Sequence, residues 1–290
     1  MHAHGPSDGR RALATALALV LAFAGVEAAT GVFAGSLALL ADAAHMLSDA
    51  LALGLALFAA WLAQRPATPQ RSFGWRRAEV LAALANALVL VLLGAWILWE
   101  AAHRLTDPPE VTGGWVLAAG AAGLAVNLAA ARVLHGAGTG LNVRAAMLHV
   151  LADLASSTGV VVAGIVVLAT GWAQADPLAG LLIGVLVILS TADVLRETVG
   201  VLLEGAPAGM DAREVGAAIA ATPGVVDVHD LHLWTITSGF PALSAHVLVS
   251  PGADCHAVRR ELEALLRERF RLTHTTLQVE HARGLITFSS

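Results

Sequence analysis

The sequence has no lysine and no tyrosine, a single cysteine, and only 13% charged residues among 290. Each scarcity excludes something. One cysteine, Cys255, rules out an internal disulfide and any cysteine-rich zinc cluster. Arginine takes the place of lysine throughout, which reads as a genomic base-composition bias and not as function. A net charge of -5 gives no reason to expect a nucleic-acid partner. A water-soluble domain carries about a quarter charged residues, so most of this chain, 57% hydrophobic with a mean hydropathy of +0.72, belongs in lipid.

What the sequence has in abundance is Ala, Leu, Val and Gly, in long runs up to about Leu203. From Met210 onward charged residues recur every few positions, as in a soluble domain. Arg10-Arg11 before an apolar run looks like the start of a secretory signal, but the run from Ala12 to Val32 has the ~20 residues of a membrane span and further runs follow. Apolar stretches of spanning length fall at 12–32, 36–62, 79–100, 113–135, 142–171 and 177–203, so the expectation is a six-helix membrane bundle. The expected domains are an N-terminal tail at 1–11, a six-span region at 12–205 and a C-terminal domain at 206–290. Arg10, Arg11, Arg65, Arg71, Arg76, Arg77, Arg132 and Arg144 then share one side, with Arg104 nearly alone on the other. Such a bias places both termini in the cytoplasm.

Two of the expected spans carry a matched pair. His45 and Asp49 lie four apart in the second, and His149 and Asp153 four apart in the fifth. On a helix that spacing sets both side chains on one face, about 6 Å apart along the axis. An ionised carboxylate at mid-membrane costs at least ~2.5 to 3.5 kcal/mol, so Asp49 and Asp153 need a compensating partner. Because spans 2 and 5 run in opposite directions, His45 and Asp153 both fall roughly 13 to 14 Å below the outer face, with Asp49 and His149 both near 19 to 20 Å. Two imidazoles and two carboxylates suit tetrahedral Zn2+, with Cd2+, Co2+ and Fe2+ as further candidates, whereas Mg2+ and Ca2+ favour oxygen alone. Asp42, one turn from His45, is placed to attract cations. Glu27, Asn86 and Asn127 read as interhelical hydrogen-bonding groups or as partners that orient the histidines.

The tail predicts a helix at 211–221, strands at 225–236 and 242–249, a helix at 254–270 and a strand at 274–282, hence a small α+β domain. Strand parity puts His274, Gln278 and Glu280 on one face, but six residues of strand part His274 from Glu280 by about 20 Å. His229, His246 and Glu280 are the better candidates for a second, cytoplasmic metal site. His2 and His4 fall in a start that reads as disordered rather than as an extension of that site, and, like His256, His274 and His281, they carry no assigned role.

These motifs resemble the cation diffusion facilitator family, in its zinc-transporting branch. The resemblance rests on Ala41 to Ala50 around His45 and Asp49, Phe73 to Val80, His149 to Asp153, His229 to Trp234, and Thr276 to Glu280. It implies a homodimer of six-span protomers with αββαβ, metallochaperone-like cytoplasmic domains, exporting Zn2+ in exchange for protons from a bacterial inner membrane. It also implies His45, Asp49, His149 and Asp153 as the transport site, with His246 and Glu280 as cytoplasmic ligands. Two departures stand out. The loop from Gln64 to Arg77 has no His or Asp for a metal site found there in some members, and Ala282 replaces a further acidic ligand. The rival readings are a non-transporting membrane metal sensor and an intramembrane metal-dependent hydrolase. A hydrolase needs a general base, and no spare Glu lies within a turn of either pair.

Overall fold

A computed structural model of the chain describes residues 6–135 and 141–282. The side chains of residues 6–17, 134, 141–146, 148 and 149 lie outside that description. The chain forms α1 (Pro6–Ala34), α2 (Leu37–Ala63), α3 (Ala78–Thr106), α4 (Gly113–His135), α5 (Leu141–Thr170) and α6 (Ala175–Leu202), followed by a small α+β domain. Among the described residues five helices, in α2 to α6, are long and apolar enough to cross a membrane, and α1 adds an apolar stretch over Ala18–Ala34. Large side chains such as Leu51, Leu92 and Leu189 stay exposed on these helices, which suits a lipid solvent. Runs of Ala and Leu fold as helices here because hydrocarbon offers no partner for a free backbone N–H or C=O, and a helix satisfies them internally.

The chain divides into two compact units, Met1–Leu57 with Ala85–Val194, and Phe58–Leu84 with Leu195–Ser290. In the first unit, α1 stops at Gly35, whose φ of +67° favours a residue without Cβ. The start of α2 is then tied down by side chains. Ser36 Oγ accepts from Leu39 N at 3.2 Å, and the buried Asp176 at the start of α6 accepts from Leu37 N at 2.7 Å and from Ser36 Oγ. Arg104 Nη1 donates to Gly35 O at 2.7 Å and thereby takes up a carbonyl at the end of α1. The packed interior of this unit is built from Ala38, Leu39, Ala41, Leu90, Ile97, Val116, Val160 and Ile183. Lipid supplies little hydrophobic drive between helices, so close approach through small residues substitutes for it. A Cβ on Gly164 of α5 would stand 2.8 Å from Leu117 N of α4, so those backbones touch because the side chain is missing.

In the second unit, α7 (Ala212–Ala220), β1 (Val225–Thr237), β2 (Phe240–Val249), α8 (Cys255–Phe270) and β3 (His274–His281) follow the αββαβ order. The sheet runs β1-β2-β3, with β1 and β2 antiparallel and β2 and β3 parallel. Alternation along β2 sends Leu243, Ala245, Val247 and Val249 inward onto Val215 and Ile219 of α7 and Val258, Leu262 and Leu266 of α8. The opposite face carries His246 and its neighbours. Asp211 and Asp254 cap α7 and α8 by accepting from backbone N–H groups of the first turn. The same unit holds the arginine-rich segment between α2 and α3. Arg71 lies over Trp75, Arg76 over Phe240, Arg77 pairs with Glu204 at 3.6 Å, and Thr237 donates to Glu79.

Two outcomes test these contacts. Gly164→Leu should drive α4 from α5 and remove the monodisperse protein from size-exclusion profiles in detergent, whereas Gly159→Ala, with nothing within 4 Å of its added Cβ, should leave the profile intact. Hydrogen bonds from Ala257 N and His256 N hold the Asp254 carboxyl below its ordinary value. A depressed folded-state value stabilises the domain above the ordinary aspartate range, and that contribution disappears as pH falls through the folded value. Thermal melts of wild type and Asp254→Ala should therefore differ at neutral pH and converge in strong acid.

Candidate metal centres

Asp42, His45 and Asp49 fall at i, i+3 and i+7 along α2, so one helix face carries all three. Ala41, which precedes them, and Ala43 and Met46, which lie between them, are all buried at 2% exposure or less, so neighbouring helices close on this stretch. His45 Nε2 stands 3.6 Å from Asp49 Oδ2, with the side chains 18% and 24% exposed. Asp153 comes from α5 to the same place and is 1% exposed. The ligand atoms of His45, Asp49 and Asp153 all lie within 4.8 Å of one another. Ligands around a tetrahedral ion at ~2.1 Å are about 3.4 Å apart, so small side-chain rotations close this set on a metal. His149 belongs to α5 one turn before Asp153, and its side chain lies outside the described residues.

Asp42 does not join that group. It accepts from Ser156 Oγ at 2.6 Å and from Ser157 Oγ at 3.3 Å, and Asn127 Nδ2 donates to Ser157 Oγ at 3.2 Å. Glu27 on α1 is fully buried and within electrostatic reach of Asp42 and Asp153. The arrangement thus has two parts. One mixes imidazole nitrogen with carboxylate, and the other consists of oxygen donors alone. Both parts offer donor atoms suited to ion binding.

In the second unit, His229 and His246 face each other across β1 and β2 as register partners. Their ring centroids are 5.4 Å apart and nearly perpendicular. The third member of this cluster is Asp230, whose carboxylate reaches 3.9 Å from His246 Nδ1, and the three ligand atoms lie within 4.8 Å of one another. Parity along a regular strand would turn Asp230 away from His229. The register slips between His229 and His232, and Asp230 adopts φ +49°, a local kink that swings its carboxylate round to the histidines. Glu280 is not in the cluster. It lies opposite Leu248 on β3, while Gln278 takes the place beside His246 and donates to the Glu280 carboxylate. His229 Nδ1 also meets Asp227 Oδ2 at 3.2 Å.

The remaining histidines have other surroundings. His274 packs against Phe73 and Phe240, and His281 Nε2 meets Ala253 O at 2.9 Å with the Cys255 sulfur close by. His256 appears in no three-ligand cluster among the described residues, and His2 and His4 lie outside them.

Mixed nitrogen and oxygen donors drawn from two apolar helices form a set able to hold a metal ion within a membrane unit, and the family to which the chain belongs is one of transporters. The chain belongs to the cation efflux family, the cation diffusion facilitators, and is a divalent metal cation efflux transporter. The family's cation efflux transmembrane domain matches residues 13–203 and its cytoplasmic domain residues 207–282. The metal cation efflux system protein CzcD of Cupriavidus metallidurans is 42% identical over 287 residues, covering 97% of this chain and 90% of that protein. The zinc transporter ZitB of Escherichia coli K12 is 39% identical, covering 96% and 90%. A cadmium, cobalt and zinc/H(+)-K(+) antiporter of Bacillus subtilis is 36% identical, covering 96% and 91%. The metal-bound C-terminal domain of the C. metallidurans CzcD transporter is a solved structure 42% identical to 24% of this chain, with 99% of that structure covered and a TM-score of 0.24.

Proposed function

We propose that this protein exports Zn2+ from the cytoplasm through His45, Asp49, His149 and Asp153, in exchange for protons, by alternating access. The observation that carries the reading is the convergence of His45, Asp49 and Asp153 ligand atoms within 4.8 Å inside the helical unit. Two carboxylates so close in an apolar interior repel each other strongly, and a dication converts that repulsion into attraction. Borderline Zn2+ accepts imidazole and carboxylate together, and Cd2+ and Co2+ suit the same donors. The names of the relatives, which include zinc, cadmium and cobalt, support this order of candidates, with Fe2+ behind them.

Exchange with protons follows from the ligands. Imidazole and carboxylate bind metal only when deprotonated, so zinc arriving from the cytoplasm displaces protons, and protons arriving from the far side help to release zinc. Affinity has to stay moderate, because the ~10 to 16 kcal/mol of a structural zinc site would hold the ion too long for turnover. The arginine bias supports both termini lying in the cytoplasm, and the bacterial relatives support an inner-membrane setting. The C-terminal domain then sits in the cytoplasm, where it joins two protomers. There His229, Asp230 and His246 form a second zinc site, and their exposure makes it suited to sensing free zinc rather than to holding it permanently.

Two measurements decide these assignments. Asp49→Ala in proteoliposomes should abolish zinc flux driven by a pH gradient while the protein keeps its thermal midpoint, and wild-type flux in that variant would end the assignment of the membrane site. Calorimetric zinc titration of the full chain carrying Asp49→Ala isolates the second site. Adding Asp230→Ala should weaken its affinity by about tenfold or more, whereas adding Glu280→Ala should leave it unchanged.

A further inference from the structure

The helical unit contains more buried acceptors than the zinc site absorbs. Ser156 and Ser157 both direct their hydroxyl protons to Asp42, and Asn127 uses an amide N–H on Ser157. Asn127 Oδ1 and both carboxylate oxygens of Glu27 are buried and have no hydrogen-bond partner among the described residues. Glu27, Asn127 and Ser157 are each 0% exposed, Asp42 is 1% and Ser156 is 9%.

Hydrogen bonds join Asp42, Ser156, Ser157 and Asn127, and Glu27 lies within electrostatic reach of Asp42. Glu27 lies one turn along α1 from Phe23 and Ala24, which pack on Met46 of α2 and Val126 of α4. A Cβ on Gly123 of α4 would stand 2.9 Å from the Phe23 ring and 3.5 Å from Ser157 Oγ, so α1, α4 and α5 converge there. Water would relieve unsatisfied acceptors at a surface, but hydrocarbon does not. Interhelical glue, the simplest role for a polar residue in a bundle, requires a partner, and Glu27 has no hydrogen-bonding one. An enclosed set rich in acceptors and short of donors is relieved by a cation.

We propose that Glu27, Asp42, Asn127, Ser156 and Ser157 form an all-oxygen site for an alkali cation, K+ or Na+, one layer from the zinc ligands. The donors are two carboxylates, one amide oxygen and two hydroxyls, with no nitrogen or sulfur. Oxygen-only sets select hard cations over zinc. Among these, Mg2+ sheds its water reluctantly and demands near-ideal octahedral geometry, which a buried set with three neutral donors does not favour. The site stands whether or not zinc is the exported ion, because it rests on donors the transport ligands do not include. Its occupancy adds a positive charge beside Asp153, which couples alkali cation concentration to the affinity of the neighbouring metal centre.

The test uses the purified full-length protein in detergent at fixed pH. KCl or NaCl replaces N-methylglucamine chloride at constant ionic strength, and the thermal midpoint is followed. The wild-type midpoint should rise and saturate with K+ or Na+, and Asp49→Ala should behave like wild type. Glu27→Gln should raise the half-saturating concentration at least about tenfold, since ligand charge sets affinity in oxygen sites. Ser157→Ala should weaken it in the same direction, which covers the case in which Glu27→Gln does not fold. Calorimetric zinc binding should be retained in both, separating the site from the transport ligands. A midpoint indifferent to replacing N-methylglucamine, a rise unaltered in both variants, or a response to pH or to Mg2+ and Ca2+ alone would overturn the proposal.

Discussion

Carboxylates buried among apolar helices need positive charge brought to them, and this constraint organises the helical unit. Asp49 and Asp153 gather around His45, while Asp42 is held by two serines and Glu27 lies within reach of both aspartates. Each of these acids would be expensive alone in hydrocarbon. Together they make a region whose natural occupant is a cation. The surrounding apolar helices strengthen this preference, because low polarity amplifies attraction to an ion as much as repulsion between acids.

The donor chemistry divides that region. Imidazole beside carboxylate draws borderline transition ions, whereas serine, asparagine and carboxylate oxygens draw hard ions. α2 serves both parts, because Asp42 and His45 are one turn apart on the same face. α5 does likewise through Asp153 and the two serines. Any movement of α2 relative to α5 therefore changes both sets of donors at once. The tie between the start of α2 and Asp176 of α6 limits which end of α2 is free to shift.

In the α+β domain the same logic operates at lower intensity. His229, Asp230 and His246 lie at the surface, where water competes for every ligand. The register slip in β1 is what makes a three-residue cluster out of a histidine pair, an example of a bulge re-aiming a side chain next to a functional site.

Much of this was legible in the residues alone. Runs of Ala, Leu and Val longer than a bilayer define the helices, because hydrocarbon permits few alternatives for the backbone. Four-residue spacing placed His45 beside Asp49 because helical geometry is local. The αββαβ order followed from helical and alternating apolar periodicity, which is also local. The relation between strands and helices was less accessible. Asp230 entered the cluster through a positive φ that no periodicity announces, and a register that only the assembled sheet defines set Gln278, not Glu280, directly beside His246. Glu27 and Asn127 looked like ordinary interhelical hydrogen-bonding groups, and only packing revealed acceptors left over on both. Sequence determined the solvent, the elements and the ligands one turn apart, since these depend on neighbours along the chain. The tertiary structure decided which donors share an ion, since that depends on distances between helices and strands far apart in the chain.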